Sequence, residues 1–122
     1  MNIAIIDDDK IQRFEIKELL FDYFQESRLC RLADPSITEY SSGEEFLLDF
    51  CQDKFQLILL DIYMKDLNGI EVAARLREID KKCSIVLITS SCCLHIPDSL
   101  NAFVIRSLIW TILSQGSLMI FY

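Results

Sequence analysis

Short apolar runs alternate along this chain with longer segments whose apolar positions recur at helical spacing. Ile3-Ala4-Ile5-Ile6 is short and Ile-rich, the pattern of a buried strand over Asn2–Ile6. Lys10–Ser27 places Ile16, Leu19, Leu20, Tyr23 and Phe24 at i, i+3, i+4, i+7 and i+8, the inward stripe of a helix. Gln12, Arg13, Lys17 and Glu18 fill its opposite side. Asp34-Pro35-Ser36 marks a loop, and Ile37–Tyr40 alternates like a short strand near a sheet edge. Ser42-Gly43-Glu44-Glu45 is a capping box, with the Ser42 hydroxyl set to accept from the Glu45 amide and the Glu45 side chain to reach back. It opens a helix through about Gln52 with Phe46, Leu47 and Phe50 inward. Phe55–Asp61 reads as an apolar strand covered on both faces. After the turn Asp66-Leu67-Asn68-Gly69, Asn68 caps a helix over Gly69–Ile79 whose inward face is Val72, Ala73, Leu76 and Ile79. Asp80-Lys81-Lys82 closes it, and Ser84–Thr89 is a fourth strand.

The order β-α-β-α-β-α-β predicts an α/β fold, a doubly wound parallel sheet with helices on both faces and right-handed crossovers. No repeat or linker divides the 122 residues, so a single domain is expected. Beyond Thr89 the pattern blurs. Pro97-Asp98-Ser99-Leu100 suits a short helix start, and either Phe103–Ile105 or Leu108–Leu113 suits a fifth strand. After Gly116 only Ser117–Tyr122 remains, too little for a covering helix of three turns, so the last helix is expected to be missing or altered.

Composition narrows the function classes. Hydrophobic residues make up 52% and charged residues 25%, a globular balance. The net charge of −7 disfavours direct nucleic-acid binding, which needs clustered Lys and Arg, and favours capture of a cation. The five cysteines, Cys30, Cys51, Cys83, Cys92 and Cys93, form no C-x-x-C pair and leave an odd count. That usage fits thiols in a reducing, cytoplasmic compartment better than a disulfide framework. Ala102–Leu113 is interrupted by Arg106, Ser107 and Thr111 and is too short to span a bilayer, and no basic leader opens the chain.

Three of the apolar runs stop on residues that phosphate chemistry can use. Ile3–Ile6 stops on Asp7-Asp8-Asp9, Leu57–Leu60 on Asp61, and Ile85–Ile88 on Thr89-Ser90. As parallel neighbours these runs would gather the acids and hydroxyls at one sheet edge, where open α/β sheets bind ligands. Two unit charges about 4 Å apart repel by about 4 kcal/mol at an effective dielectric near 20. Asp7, Asp8 and Asp61 therefore call for a bound cation, with Mg²⁺ the natural oxygen-ligated choice, or for a raised pKa. Such an ion would draw in a phosphoryl group, a carboxylate oxygen would attack it, and Thr89 would donate to a phosphoryl oxygen. Any one acid alone is more simply a solvated loop residue or a helix cap, as Asp9 is expected to be; Asp66 reads as a turn residue, and Lys10 and Lys65 as surface charge.

Taken together, Ile3-Ala4-Ile5-Ile6-Asp7-Asp8-Asp9, Leu59-Leu60-Asp61-Ile62-Tyr63-Met64, Asn68-Gly69-Ile70-Glu71 and Val86-Leu87-Ile88-Thr89-Ser90 resemble the receiver domain of bacterial two-component response regulators. Ser41-Ser42-Gly43-Glu44-Glu45 fits the start of that family's second helix. The resemblance covers residues 1–91 closely and 92–113 loosely. It implies a flavodoxin-like five-stranded sheet of order 2-1-3-4-5. It implies Asp61 as phosphoacceptor from a sensor histidine kinase and Thr89 as the switch hydroxyl. Mg²⁺ would be held by Asp7, Asp8, Asp61 and the main-chain carbonyl of Tyr63. A receiver of this kind is a switch and not a turnover enzyme, catalysing at most its own phosphorylation and dephosphorylation. Ala102-Phe103-Val104-Ile105-Arg106-Ser107-Leu108 resembles receivers joined to LytTR-type DNA-binding domains, though no such domain lies within these residues.

Departures from the family pattern shape the alternative reading. A lysine that ends the family's fifth strand falls on Leu113 here, its following proline on Ser114, and no lysine occurs after Lys82. Leucine cannot donate to a phosphoryl group, so weakened coupling between Asp61 and Thr89 is expected. The aromatic switch position falls on Trp110, and Lys65 replaces the proline usual after Met64. From about Ile109 the tail leaves the family pattern, as a truncated gene or shifted frame would produce, making 1–122 one receiver domain incomplete at its C-terminal end. The exposed apolar flank of Ile109–Leu113 and Leu118–Tyr122 would then suit a homodimer. The competing function is a degenerate receiver acting as a protein-interaction module without phosphoryl switching. An aspartyl phosphohydrolase is disfavoured, because Tyr63 stands where such enzymes place a second acid.

Overall fold

The computed structural model describes residues 1–26 and 35–88. The strands are β1 (Asn2–Ile6), β2 (Ser36–Tyr40), β3 (Leu57–Asp61) and β4 (Ser84–Ile88), and the helices are α1 (Lys10–Glu26), α2 (Gly43–Asp49) and α3 (Gly69–Ile79). All pairings are parallel, in the order β2-β1-β3-β4. The expected β2 edge position and the 2-1-3-4 order are therefore present. The expected fifth strand and everything anticipated from Thr89 onward lie outside the described residues, as do Cys30, Cys92 and Cys93.

Strand alternation divides the core between the two faces of the sheet. Ala4, Ile6, Ile58, Leu60, Ile85 and Leu87 point to the face covered by α2 and α3, where they meet Phe46, Phe50, Val72, Ala73 and Leu76. Ile3, Ile5, Leu57, Leu59 and Val86 point to the α1 face and meet Ile16, Leu20, Tyr23 and Phe24. Every residue of β3 is buried, as a central parallel strand requires.

The predicted caps form. Ser42 Oγ accepts from the Glu45 amide, and Asn68 Oδ1 accepts from the Glu71 amide. Glu45 reaches back one residue further than a standard capping box, to the amide and hydroxyl of Ser41 at 3.0 and 2.9 Å. Helix α2 stops at Asp49, short of Gln52, because Phe50 turns to extended backbone while its amide still reaches the Phe46 carbonyl. Ile79, expected inward, is 46% exposed, since the last residue of α3 has already rotated past the sheet.

Asp80 is a buried acid that ties two loops together. Its Oδ1 accepts from the amides of Lys82 (2.7 Å) and Cys83 (3.2 Å), and its Oδ2 from the amide of Asp53 (3.0 Å), a residue in the left-handed region at φ 62°. Burial pushes this carboxyl up, but the three amides and nearby Arg77 outweigh it and leave the pKa below the usual carboxylate range. The contribution is present at neutral pH and is lost as pH falls through that lowered value. Asp80→Ala strands three donors and is expected to cost about 2 kcal/mol in chemical denaturation at pH 7. A loss within error would show that water replaces the carboxylate there.

Candidate functional site

Register brings the acids together. Ile6 lies opposite Leu60 across the β1–β3 pair, so the next residues along each strand, Asp7 and Asp61, emerge side by side at the C-terminal edge. Asp8 follows on the same loop. One carboxylate oxygen from each of Asp7, Asp8 and Asp61 lies within 4.8 Å of the other two. Asp7 and Asp61 are almost fully buried. Asp8 faces an open cleft of about 230 Å³ lined also by Ser41, Ser42, Met64, Lys65 and Leu67.

Each acid is held by main-chain groups. Asp7 Oδ1 accepts from the Asp9 amide at 2.9 Å, and Asp9 Oδ1 accepts from the Ile11 amide at 2.9 Å, the capping role expected of Asp9. Asp8 Oδ2 accepts from the Lys65 amide at 3.3 Å, joining the loops after β1 and β3. Asp61 Oδ1 accepts from the Tyr63 amide at 3.2 Å, while the Tyr63 residue is 63% exposed. The loop after β3 is clamped by the Ile62 amide on the Ile88 carbonyl and the Gly69 amide on the Ile62 carbonyl, both at 2.9 Å.

Electrostatics follow from this crowding. Burial, then the charges of Asp7 and Asp8, push the Asp61 carboxyl up to about 7. Burial also raises Asp7, with the charges of Asp8 and Asp9 adding to it. An oxygen-only donor set of three acids, two buried and Asp8 open to the cleft, is the chemistry of a hard divalent cation, so the residues fit Mg²⁺.

Two residues of the site were not legible in the pattern. Arg13, expected on the outward side of α1, instead folds back: its side chain is 14% exposed and Nη1 donates to the Asp7 carbonyl at 2.6 Å. Gly69 reads only as a turn residue, yet a Cβ there would lie 2.2 Å from the Asp61 carbonyl oxygen. Thr89, the expected switch hydroxyl, lies just beyond the described residues, whose last member is Ile88.

Residues 3–96 match the family model described as the response regulator receiver domain. The chain belongs to this family. Among curated relatives, this receiver is 33% identical to the positive alginate biosynthesis regulatory protein of Pseudomonas aeruginosa over 84% of its own length and 37% of that protein's. It is 31% identical to the response regulator receiver protein CpdR of Brucella abortus, over 76% of this chain and 69% of that one. Among solved structures it resembles the response regulator TrrA. In the complex of TrrA with the histidine kinase ThkA, identity is 31%, TM-score 0.54, and coverage 83% of this chain and 78% of that one. In TrrA of Thermotoga maritima with Mg²⁺-BeF, identity is 26%, TM-score 0.59, and coverage 93% and 96%. As a receiver, the chain is a regulatory element of two-component signalling. Among the described residues no helix is long and apolar enough to cross a membrane.

Proposed function

We propose that this receiver accepts a phosphoryl group on Asp61 from the phosphohistidine of a sensor histidine kinase and so acts as a phosphorylation-dependent switch. The observation that carries this reading is the convergence of Asp7, Asp8 and Asp61 at the C-terminal edge of β1 and β3. Asp61 is the acceptor because it ends the central strand, where the Tyr63 amide fixes one oxygen and leaves the other to attack. The oxygen–phosphorus bond to Asp61 forms as the bond from phosphorus to the donor's imidazole nitrogen breaks, and that nitrogen takes the electron pair. Asp7, Asp8, Asp61 and the Tyr63 main-chain carbonyl would hold Mg²⁺. Bound there, Mg²⁺ shields the charge of the incoming phosphoryl oxygens and lowers the repulsion among the acids. Thr89, following β4, would donate to a phosphoryl oxygen and report the new charge to the rest of the domain.

Support for the partner comes from the kinase complex of TrrA, and for the ion from the Mg²⁺-BeF complex of the same relative. The test is incubation with Mg²⁺ and a small phosphoryl donor such as acetyl phosphate, followed by mass spectrometry. A base-labile gain of one phosphoryl group is expected, lost with EDTA and absent in Asp61→Asn. A gain that persists in Asp61→Asn would reject the assignment. A second reading, the interaction module without switching, is favoured by the absence of any lysine after Lys82. It predicts self-association that responds neither to Mg²⁺ nor to donor.

A further inference from the structure

Arg13 stands on the first turns of α1, five residues beyond Asp8, and reaches two elements at once. Its Nη1 donates to the main-chain carbonyl of Asp7 at 2.6 Å, a charge-assisted bond at the short end of the normal range. Its Nε lies 3.5 Å from Glu39 Oε1 on β2, close enough for an ion pair but without hydrogen-bond geometry. Glu39 also pairs with Lys17 at 3.2 Å. Among the described residues, Arg13 makes no ion pair with Asp7, Asp8 or Asp61. Its guanidinium is therefore spent on the backbone of the acidic loop and on β2, not on neutralising the acids.

The backbone contact has a specific consequence. The Asp7 carbonyl and the Asp8 amide belong to one planar peptide unit. The preceding peptide is fixed by the Asp7 amide on the Tyr40 carbonyl at 3.2 Å. Arg13 thus grips the peptide that joins Asp7 to Asp8, alongside the Asp9 amide on Asp7 Oδ1 and the Lys65 amide on Asp8 Oδ2. Nothing else in the described structure grips that carbonyl.

We infer that Arg13 is a positioning residue: it orients the Asp7–Asp8 peptide so that the two carboxylates meet Asp61 in one divalent-cation site. The inference rests on the metal reading of the pocket given above. Outer groups that orient ligands typically alter metal affinity by roughly ten- to a hundredfold when removed.

Mg²⁺ affinity of the full chain, measured by titration calorimetry at low temperature where each variant is folded, tests it. Arg13→Met is expected to weaken Mg²⁺ binding about tenfold, and Arg13→Lys, which keeps a cationic donor, to recover part of the loss. Glu39→Gln, which removes the ion pair and spares the carbonyl bond, is expected to retain wild-type affinity, and it carries the test if Arg13→Met does not fold. Unchanged affinity in Arg13→Met, or a tenfold loss in Glu39→Gln, overturns the role of Arg13 while leaving the metal site standing. Wild-type protein that binds no Mg²⁺ overturns the metal reading itself, and Arg13's role with it.

Discussion

Asp61→Asn raises the stability of the protein at pH 8 in EDTA, by about 1–3 kcal/mol. Removing a buried polar group normally destabilises, so the sign is informative. Asp61 is held at about 7 in the folded chain, chiefly by burial and then by the Asp7 and Asp8 charges. In the unfolded chain an aspartate titrates near 4. A carboxyl whose folded pKa is raised contributes fully below the unfolded pKa and loses that contribution as pH rises through the folded one. The wild type therefore weakens between about pH 4 and pH 7, where the asparagine variant does not. The gap opens across that window and levels off above it. The full shift corresponds to about 4 kcal/mol, reduced here because Asp8 opens to solvent and relaxation is available. Mg²⁺ should close the gap by stabilising the wild type alone, more strongly at pH 8 than at pH 5.5, where protons compete for the same oxygens. Denaturant titrations at both pH values, with and without Mg²⁺, read this directly. An Asp61→Asn protein less stable than wild type at pH 8 in EDTA would mean that the acids are not in mutual repulsion.

Gly69→Ala is expected to cost about 3 kcal/mol or more and to disturb the loop after β3 even in protein that remains folded. The added Cβ would sit 2.2 Å from the Asp61 carbonyl oxygen and 2.9 Å from both the Asp61 carbonyl carbon and the Ile62 Cα. All of these are backbone atoms, so no side-chain rotation relieves the overlap. The Gly69 amide also donates to the Ile62 carbonyl, so moving α3 away breaks the clamp that shapes the loop. Mg²⁺ binding should fall together with stability. By contrast, the Cβ of Gly43→Ala meets the Val72 Cγ2 at 2.6 Å, a side-chain atom that can yield, and a smaller loss follows. Equal stability of Gly69→Ala and wild type in urea titrations would contradict the close approach.

The pattern of apolar runs made most of the sheet legible, because buried parallel strands are short, continuous and β-branched, and those signals are local. The Ser42 and Asn68 caps were legible for the same reason. The acid cluster was legible because strand ends at matched register are predictable once the strands are. Arg13 was not: helical periodicity fixes where its Cβ leaves α1, and its long side chain then bends back to the Asp7 carbonyl. Gly69 escaped because its requirement is set by β3, far away in sequence. Asp80 looked like an ordinary charged end to α3, since only the fold brings the Asp53 amide to it. The inward stripe of α1 is present at Ile16, Leu20, Tyr23 and Phe24, with Leu19 half-buried, while Ile11, Phe14 and Phe21, outside that stripe, stand exposed.

Strand β1 is made before β2 and β3, yet it lies between them in the sheet. Its partner on one side arrives only when Leu60 has been synthesised opposite Ile6. At ribosomal speeds of roughly 5–20 residues per second, that leaves the Ile3–Ile6 run without its full complement of neighbours for about 3 to 11 seconds. The newborn chain thus carries a sticky, unpaired segment well before the acids can assemble, and its yield in the cell should depend on chaperones that shield nascent polypeptide.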